Sequence, residues 1–300
     1  MSKPINPLNF IKAKAMAQQL LQSGKDNEAA QLLSNLLLKQ PSDAQLAVPL
    51  AKLYQKYNKT DQACATMERA ASFGATGFEF YYVLGALQHA AGKLQKAGVH
   101  IQKAIELDSN SSQAYNVKGS ILLDSHQTLE AVAAFETSIR LNPKSADAYN
   151  NLAWAFRSLG EKEQALDNFQ RAIDADPLAT EALSGMMLLK NYTKVEPEFA
   201  LVEKLLSGNK LSLKQRSDLE FALGKAYEDT QNHDAAFEHF EKGNISWRDS
   251  FSYQTSDDEA FFEQIKSTFT PEYLKQNSNI RPSSKAQPIF ILGMPRSSTT

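Results

Sequence analysis

A 34-residue period runs through the first 179 residues and limits the folds that this chain can adopt. Alanine recurs at that spacing without an insertion, at Ala29, Ala63, Ala97, Ala131 and Ala165. Unrelated helices do not keep a constant phase over five copies. A fixed period of this length indicates one supersecondary unit that is repeated along a solenoid, with a core that continues from unit to unit.

Each unit is predicted to contain two helices. In residues 146–179, apolar residues at helical spacing form one stripe before the turn and another after it. Twelve residues before each periodic alanine lies a small residue, at Ala17, Ala51, Gly85, Gly119 and Ala153. Five residues before it lies a type that tolerates a positive φ, at Gly24, Asn58, Gly92, His126 and Gly160. We expect the small residues where the two helices cross, with Gly119 against Ala131, and the others at the end of the first helix.

The period, the small residues and the turns together resemble the tetratricopeptide repeat, which implies an all-α superhelical solenoid of helix–turn–helix units. The predicted units are 10–43, 44–77, 78–111, 112–145 and 146–179, after an N-terminal arm at 1–9. Residues 180–244 predict a degenerate sixth and seventh repeat. There Pro197 is expected to open a helix, and Ser212 to form a capping box with Gln215.

Composition excludes several classes of function. With 32 Lys and Arg against 34 Asp and Glu, the net charge is -2, so no positive field draws the chain to nucleic acid or anionic lipid. Cys64 is the single cysteine and no His-Glu-x-x-His pair occurs, so we expect neither a disulfide nor a metal site. No apolar run suits a signal peptide or a membrane span. We therefore expect a soluble, cytoplasmic protein in which Cys64 is a small filler.

The tetratricopeptide resemblance also indicates where a ligand binds, because the first helices of such a solenoid line its concave face. The amides of Asn116 and Asn150, one repeat apart, can hydrogen-bond the backbone of an extended peptide. Trp154 and Tyr82 can supply aromatic anchors. For each residue alone, an ordinary surface or packing role stays open. We expect a protein or peptide partner in this groove.

One proline interrupts the second unit. Pro49 stands where the carboxylate clamp of some tetratricopeptide domains has asparagine, so that kind of site is disfavoured. Proline inside a helix removes a backbone hydrogen bond, and Pro49 therefore predicts a kinked helix or a helix that begins near Val48.

The repeat pattern ends near Asn244, and 245–287 is interpreted as a linker with one helix. Ser256 and Glu259 predict a capping box that opens this helix, and Pro271 is expected to end it. Residues 288–300 differ in character, because a short apolar run is followed by glycine and a hydroxyl-rich turn. This order predicts a buried strand that leads into an anion-binding loop.

The loop at 295–300, Pro-Arg-Ser-Ser-Thr-Thr, resembles the 5′-phosphosulfate loop of sulfotransferases, usually Pro-Arg-Ser-Gly-Thr-Thr. With the repeats before it, the chain resembles bacterial tetratricopeptide–sulfotransferase fusions, of whose α/β P-loop-like domain it holds the first strand and loop, 288–300. The resemblance implies the co-substrate 3′-phosphoadenosine 5′-phosphosulfate (PAPS), with Arg296 offsetting charge on the leaving phosphate. It implies that the phosphate is held by Arg296, Ser297, Ser298, Thr299 and Thr300, and that the catalytic base lies outside the chain. Ser298 departs from the usual glycine, which disfavours binding.

Two functions of different classes remain. The first is the N-terminal, protein-binding part of a PAPS-dependent sulfotransferase of the protein or tyrosyl type, which transfers a sulfuryl group to an acceptor hydroxyl. The alternative is a non-enzymatic adaptor for protein–protein interaction that keeps a vestigial phosphosulfate loop. A kinase-like phosphotransferase is disfavoured because it would need lysine at Thr299. We expect no sulfotransferase activity from residues 1–300, so the status of the chain as an enzyme stays open.

Overall fold

The computed structural model describes residues 7–252 and 254–277, which form sixteen α-helices and no strand. The chain divides into two compact units, Met1–Trp247 and Arg248–Thr300. In the first unit the helices follow one another as pairs, each a first helix and a second helix. Their bounds are α1 Pro7–Gln22, α2 Asp26–Lys39, α3 Ala44–Lys56, α4 Thr60–Ser72, α5 Phe78–Ala90, α6 Leu94–Leu107, α7 Ser112–Asp124, α8 Thr128–Leu141, α9 Ala146–Leu159, α10 Lys162–Ala175, α11 Thr180–Leu189, α12 Pro197–Ser207, α13 Leu213–Asp229 and α14 His233–Asp249. In the second unit, α15 spans Thr255–Thr268 and α16 spans Pro271–Asn277.

Capping side chains fix where several first helices begin. Asp43 accepts a hydrogen bond from the Gln45 amide at 3.0 Å at the start of α3. Ser111 and Ser145 cap α7 and α9 through amides three residues further on. Each of these side chains satisfies one of the free N–H groups of the first turn. The repeat therefore sets a helix start at the same place in successive units.

The packing of the helices is that of an all-α solenoid. Each helix from α1 to α11 packs against the next one along the chain, except that α11 packs against α13 in place of α12. From α3 to α13, each first helix also packs against the first helix of the following unit. The core is consequently a series of hydrophobic clusters between neighbouring helices along the solenoid.

The periodic alanines are part of that core. All five, from Ala29 to Ala165, are fully buried, and Ala236 of the seventh pair is 3% exposed. The expected crossing of Gly119 with Ala131 needs correction, because a β-carbon on Gly119 would first meet the ring of Phe135, one turn further along α8. Gly85 faces Ile101 at the same 16-residue offset, so a glycine in the first helix leaves room for a large side chain of the second.

The turns between paired helices confirm the prediction of a left-handed residue. The predicted positions have a positive φ in every case, at Gly24, Asn58, Gly92, His126 and Gly160. Gln231, five residues before Ala236, adopts the same conformation with φ of 62°. The sequence therefore indicated this backbone feature even where the residue is histidine.

The connection between α11 and α12 replaces that turn with a polar network. Tyr192 is buried, and its backbone N–H donates to Asp229 Oδ2 of α13 at 3.0 Å. Its hydroxyl donates to Glu198 Oε1 of α12 at 3.0 Å, and its ring lies edge-on to Phe199, with centroids 5.0 Å apart. Tyr192 thus links the connection after α11 to α12 through its side chain and to α13 of the seventh pair through its backbone.

Two predicted helix starts in the repeats were confirmed, and a start near Val48 was wrong. Pro197 is the first residue of α12, and Ser212 and Gln215 form the expected capping box of α13. In contrast, α1 already begins at Pro7, because proline suits the first turn of a helix. The helix that contains Pro49 begins at Ala44 and not near Val48, because Asp43 caps it there, and it continues through Pro49. The alternative of a kink at Pro49 stays a prediction.

The segment after the repeats differs from its prediction. The structure has two helices there, since Pro271 both ends α15 and begins α16. The expected capping box is wrong, because α15 begins at Thr255 after Gln254 and no side chain caps it. No residue of α15 is buried. The predicted strand and phosphosulfate loop, 288–300, lie outside the described residues.

Candidate functional site

One face of the first helices carries the candidate site. We number each unit from its first residue and define the first-helix face as positions 2, 5 and 9 of every unit. In the seventh pair the positions are counted back from Ala236 as position 20, which makes Asp218, Phe221 and Lys225 the three members. Tyr82, Asn116, Asn150 and Trp154, the residues singled out from the sequence, all belong to this face.

Side chains of this face from different repeats point towards one another. Lys52 of α3 forms an ion pair with Glu79 of α5, with 2.6 Å between Nζ and Oε1. Burial raises the pKa of the Tyr82 hydroxyl, the charge of Lys52 lowers it, and the charge of Asp147 on α9 raises it further. The charges of Lys52 on α3 and of Asp147 on α9 therefore both act on Tyr82 of α5. The first helices of successive repeats contribute to one common surface.

At the N-terminal end of the face there is a cavity of about 500 Å³ between α1, α3 and α5. Its walls include Lys14, Gln18, Gln45, Lys52, Phe78 and Glu79. The two lysines are neutralised from within the chain, Lys14 by Asp43 and Lys52 by Glu79. This cavity offers polar and apolar surface with little net charge.

At the other end, between α9, α11 and α13, is a smaller cavity of about 320 Å³ that we call the Trp154 pocket. Its walls include Trp154, Glu181, Leu188, Lys214, Asp218 and Phe221. Trp154 packs edge-on against Phe169, with centroids 5.6 Å apart, and Arg157 lies over its ring at 4.7 Å. The indole is consequently held in place at the pocket wall.

The structure does not bring the two predicted asparagines together as a pair. Asn116 Oδ1 accepts a hydrogen bond from Asn151 Nδ2 at 3.1 Å, across the boundary between repeats. Asn150 is buried, and its Oδ1 has no hydrogen-bond partner. Tyr82 stacks on Phe78, with ring centroids 6.0 Å apart. The Asn116 carbonyl oxygen is thus engaged in a hydrogen bond between repeats, while the buried Asn150 carbonyl oxygen has no donor.

Glu181, Asp218 and Phe221 were missed in the sequence. They occupy positions 2, 2 and 5 of the degenerate sixth and seventh repeats, where the spacing between periodic alanines changes. Counting back from Ala236 recovers Asp218 and Phe221, so the signal was present in the sequence. Glu181 could be found by adding 34 residues to position 2 of the fifth unit.

A third cavity lies on the side of the second helices. This outer cleft of about 590 Å³ lies between α8, α9 and α10, with Glu136, Arg140, Tyr149, Phe156, Glu163 and Arg171 on its walls. Arg171 forms an ion pair with Asp167 within α10. None of the residues singled out from the sequence lines this cleft.

The remaining candidates for chemistry are few within the described residues. Cys64 is buried, with Lys93 Nζ 3.7 Å from its sulfur, and burial and the charge of Glu68 raise the pKa of its thiol. In 7–252 and 254–277, no three His, Cys, Asp or Glu side chains are grouped as metal ligands. No described helix has the length and apolar character needed to cross a membrane. Arg296, Ser297, Ser298, Thr299 and Thr300 lie outside the described part of the chain.

Comparison with known families finds a similarity in the middle repeats. Models described as tetratricopeptide repeat match residues 78–111 and 116–180. Over these residues the helix pairs are similar to tetratricopeptide repeats. The first-helix face lies on the helices that pack against one another from unit to unit. Neither match extends to residues 181–300.

One relative is similar to part of the sequence, and two solved structures share the fold. An uncharacterized protein of Aquifex aeolicus is 30% identical over 112 residues, which are 37% of this chain and only 15% of that protein. A tetratricopeptide repeat protein from Parabacteroides merdae has a TM-score of 0.60 at 17% identity and covers 79% of this chain and 93% of its own. YrrB, a TPR protein with an unusual peptide-binding site, has a TM-score of 0.50 at 23% identity over 57% of this chain and 88% of its own.

Proposed function

We propose that this chain is a protein-binding adaptor whose first-helix face holds an extended segment of a partner protein. The observation that carries the proposal is the placement of two separate cavities on that one face, one at each end of the stacked first helices. A peptide that follows the face from one cavity to the other would contact Tyr82, Asn116 and Trp154 in turn. YrrB, which is described with a peptide-binding site, has the same fold.

The chemistry of the face suits an extended peptide. Amide and hydroxyl groups along it can bond a peptide backbone, and the amide N–H groups of Asn116 are available as donors. Half-buried aromatic rings such as Tyr82 and Trp154 bury apolar side chains at a small entropic cost. These groups bind without any chemical step, which favours the adaptor over a catalytic role for the repeats.

Peptide selection with a matched pair of variants tests the proposal. Peptides are selected from a random twelve-residue library on the immobilised chain, and their affinities are then measured for two variants. Ala86→Arg places a long side chain in the middle of the face, at position 9 of α5, whereas Ala133→Arg places it on the exposed surface of α8. We expect Ala86→Arg to weaken binding at least about tenfold, an effect as large as the loss of one buried anchor. Ala133→Arg should leave the affinity unchanged. Equal affinities for the two variants would contradict the proposal.

A second candidate function rests on the sequence at 295–300. The resemblance of this loop to a phosphosulfate loop supports a longer protein in which the repeats present substrates to a PAPS-dependent sulfotransferase domain. Arg296 and the Ser and Thr residues from 297 to 300 would hold the 5′-phosphate. The test is calorimetric titration of PAPS into the product of the complete open reading frame. PAPS binding that Arg296→Ala abolishes would support the enzyme, and its absence from the wild type would leave the adaptor.

A further inference from the structure

The two cavities of the first-helix face differ in how their charges are paired. Both lysines of the N-terminal cavity have carboxylate partners within the chain. In the Trp154 pocket, Glu181 and Asp218 form no ion pair with any described residue, and neither does Lys214. The lining of this pocket therefore carries two unpaired carboxylates against one ammonium. Arg157 lies over the Trp154 ring but is not part of the lining.

The uncharged polar group on the pocket wall is also an acceptor. Ser184 Oγ lies on this wall and donates its hydroxyl proton to the Glu181 carbonyl at 3.1 Å, so its oxygen is left as an acceptor. Together with the carboxylate oxygens of Glu181 and Asp218, it makes the wall rich in hydrogen-bond acceptors. These acceptors favour a ligand that carries several N–H donors.

The walls of the pocket select among such ligands by shape. Trp154 and Phe221 are aromatic, and Leu188 adds apolar surface. One guanidinium, that of Arg157, already lies over the Trp154 ring, 4.7 Å from its centroid. A guanidinium is flat, carries five N–H donors and stacks on aromatic rings, whereas an ammonium is compact and more strongly hydrated. Arginine matches the walls and the acceptors together.

We propose that the Trp154 pocket binds an arginine side chain of the partner segment. This inference rests on the proposed function and adds to it a residue preference at the C-terminal end of the face. Glu181 and Asp218 pair with the guanidinium, and Trp154 and Phe221 cover its flat sides. Lys214 opposes the same ligand through its charge.

Three small probe peptides test the preference on the wild-type chain. Each is a capped heptapeptide of glycine and serine with arginine, citrulline or glutamate at its centre; citrulline keeps the shape of arginine without its charge. Binding is followed by the indole N–H signals of Trp154 and Trp247, which are the two tryptophans of the chain and are assigned with Trp154→Phe. We expect the arginine peptide to shift the Trp154 signal and to bind at least about threefold more tightly than the citrulline peptide, as for an exposed ion pair.

Variants of the three charged residues give effects of opposite sign. Glu181→Gln and Asp218→Asn each weaken the arginine peptide about threefold and leave the citrulline peptide unchanged. Lys214→Gln strengthens the arginine peptide by a similar factor. Glu163→Gln in the outer cleft is the matched control and changes neither. Circular dichroism spectra show that each variant keeps its helices.

The inference is overturned if arginine and citrulline peptides bind equally, if neither shifts the Trp154 signal, or if removal of the carboxylates has no effect. The proposed function is judged separately. If the selected peptides are still excluded by Ala86→Arg while the probes show no arginine preference, the face binds peptides and only the arginine assignment fails.

Discussion

Gly119 of α7 lies against Phe135 of α8 so closely that a β-carbon on the glycine would be 2.4 Å from Cε1 of the ring. Phe135 is fully buried, so its ring cannot turn into solvent to make room. This contact sets the distance between the helices of the fourth repeat. Gly224 and Phe240 repeat the relationship in the seventh pair, where the β-carbon would be 2.7 Å from the ring.

Replacing this glycine is expected to destabilise the solenoid. Gly119→Ala should lower the free energy of unfolding by about 1–3 kcal/mol, because overpacking moves helices or forces strained rotamers. Gly98→Ala is the matched control, since Gly98 is also helical but a β-carbon there is 4.0 Å from the nearest side-chain atom. That variant should raise stability by about 0.5–1 kcal/mol through helix propensity alone. Urea unfolding measures both, and equal effects of the two changes would refute the packing argument.

The turn of the fourth repeat offers a stabilising change. His126 has a φ of 61°, a conformation that costs an L-residue roughly 1–2 kcal/mol, and glycine occupies the same position at Gly160 with φ of 80°. His126→Gly should therefore raise the free energy of unfolding by up to about 1 kcal/mol, after the greater entropy of unfolded glycine is subtracted. Gly160→Ala should lower it by about 1 kcal/mol. Thermal unfolding tests the pair, and a loss of stability in His126→Gly would show that the histidine side chain itself contributes.

Much of this architecture could be predicted because it is local and periodic. The left-handed turns, the buried alanines and the capping box at Ser212 depend on neighbours within one unit, and the sequence carries them directly. The partner of Gly119 was misassigned because a 34-residue phase locates the crossing only to within one helical turn. The start of α1 at Pro7 was missed since it lies outside the repeat.

The candidate site was predicted less completely than the fold. Positions 5 and 9 of the regular units led to Tyr82, Asn116, Asn150 and Trp154, all of which lie on the first-helix face. The carboxylates at Glu181 and Asp218 belong to degenerate repeats, in which the network around Tyr192 replaces the regular turn. Which polar atoms stay unpaired, as at Asn150, depends on side-chain geometry that no spacing rule contains.

The network around Tyr192 makes a testable contribution to stability in acid. Burial raises the pKa of Glu198, but hydrogen bonds from Lys190 and Tyr192 outweigh it, and the pKa lies below the usual 4.5. A carboxyl group whose pKa is lower in the folded state stabilises the fold above its unfolded pKa, and this contribution is lost as pH falls through the lowered value. Glu198→Gln should therefore be less stable at pH 7, and its stability should fall less steeply between about pH 5 and pH 3.

Urea unfolding over that pH range measures the effect. Glu136→Gln, an exposed carboxylate in the middle of α8, provides the comparison and should change the curve less than Glu198→Gln does. If Glu198→Gln and the wild type give parallel curves, the carboxylate does not contribute in the way described.

The thiol of Cys64 should be unreactive in the folded chain. Burial and the charge of Glu68 raise its pKa, and the side chain is 3% exposed. Because the thiolate is the nucleophile, an aromatic disulfide reagent should react at least about a hundredfold more slowly with the native chain than with the chain in urea. Equal rates in the two states would mean that Cys64 is accessible and would contradict its role as a filler.

The most direct test of the central claim is to map where a bound peptide lies. A peptide selected on the chain is made with a photoreactive diazirine side chain at successive positions, crosslinked to the protein and located by mass spectrometry. The account predicts crosslinks to the first helices, from α1 and α3 at one end to α11 and α13 at the other, with the order along the peptide matching the order of the repeats. Crosslinks confined to the second helices, around Glu136 and Arg171 in the outer cleft, would contradict it.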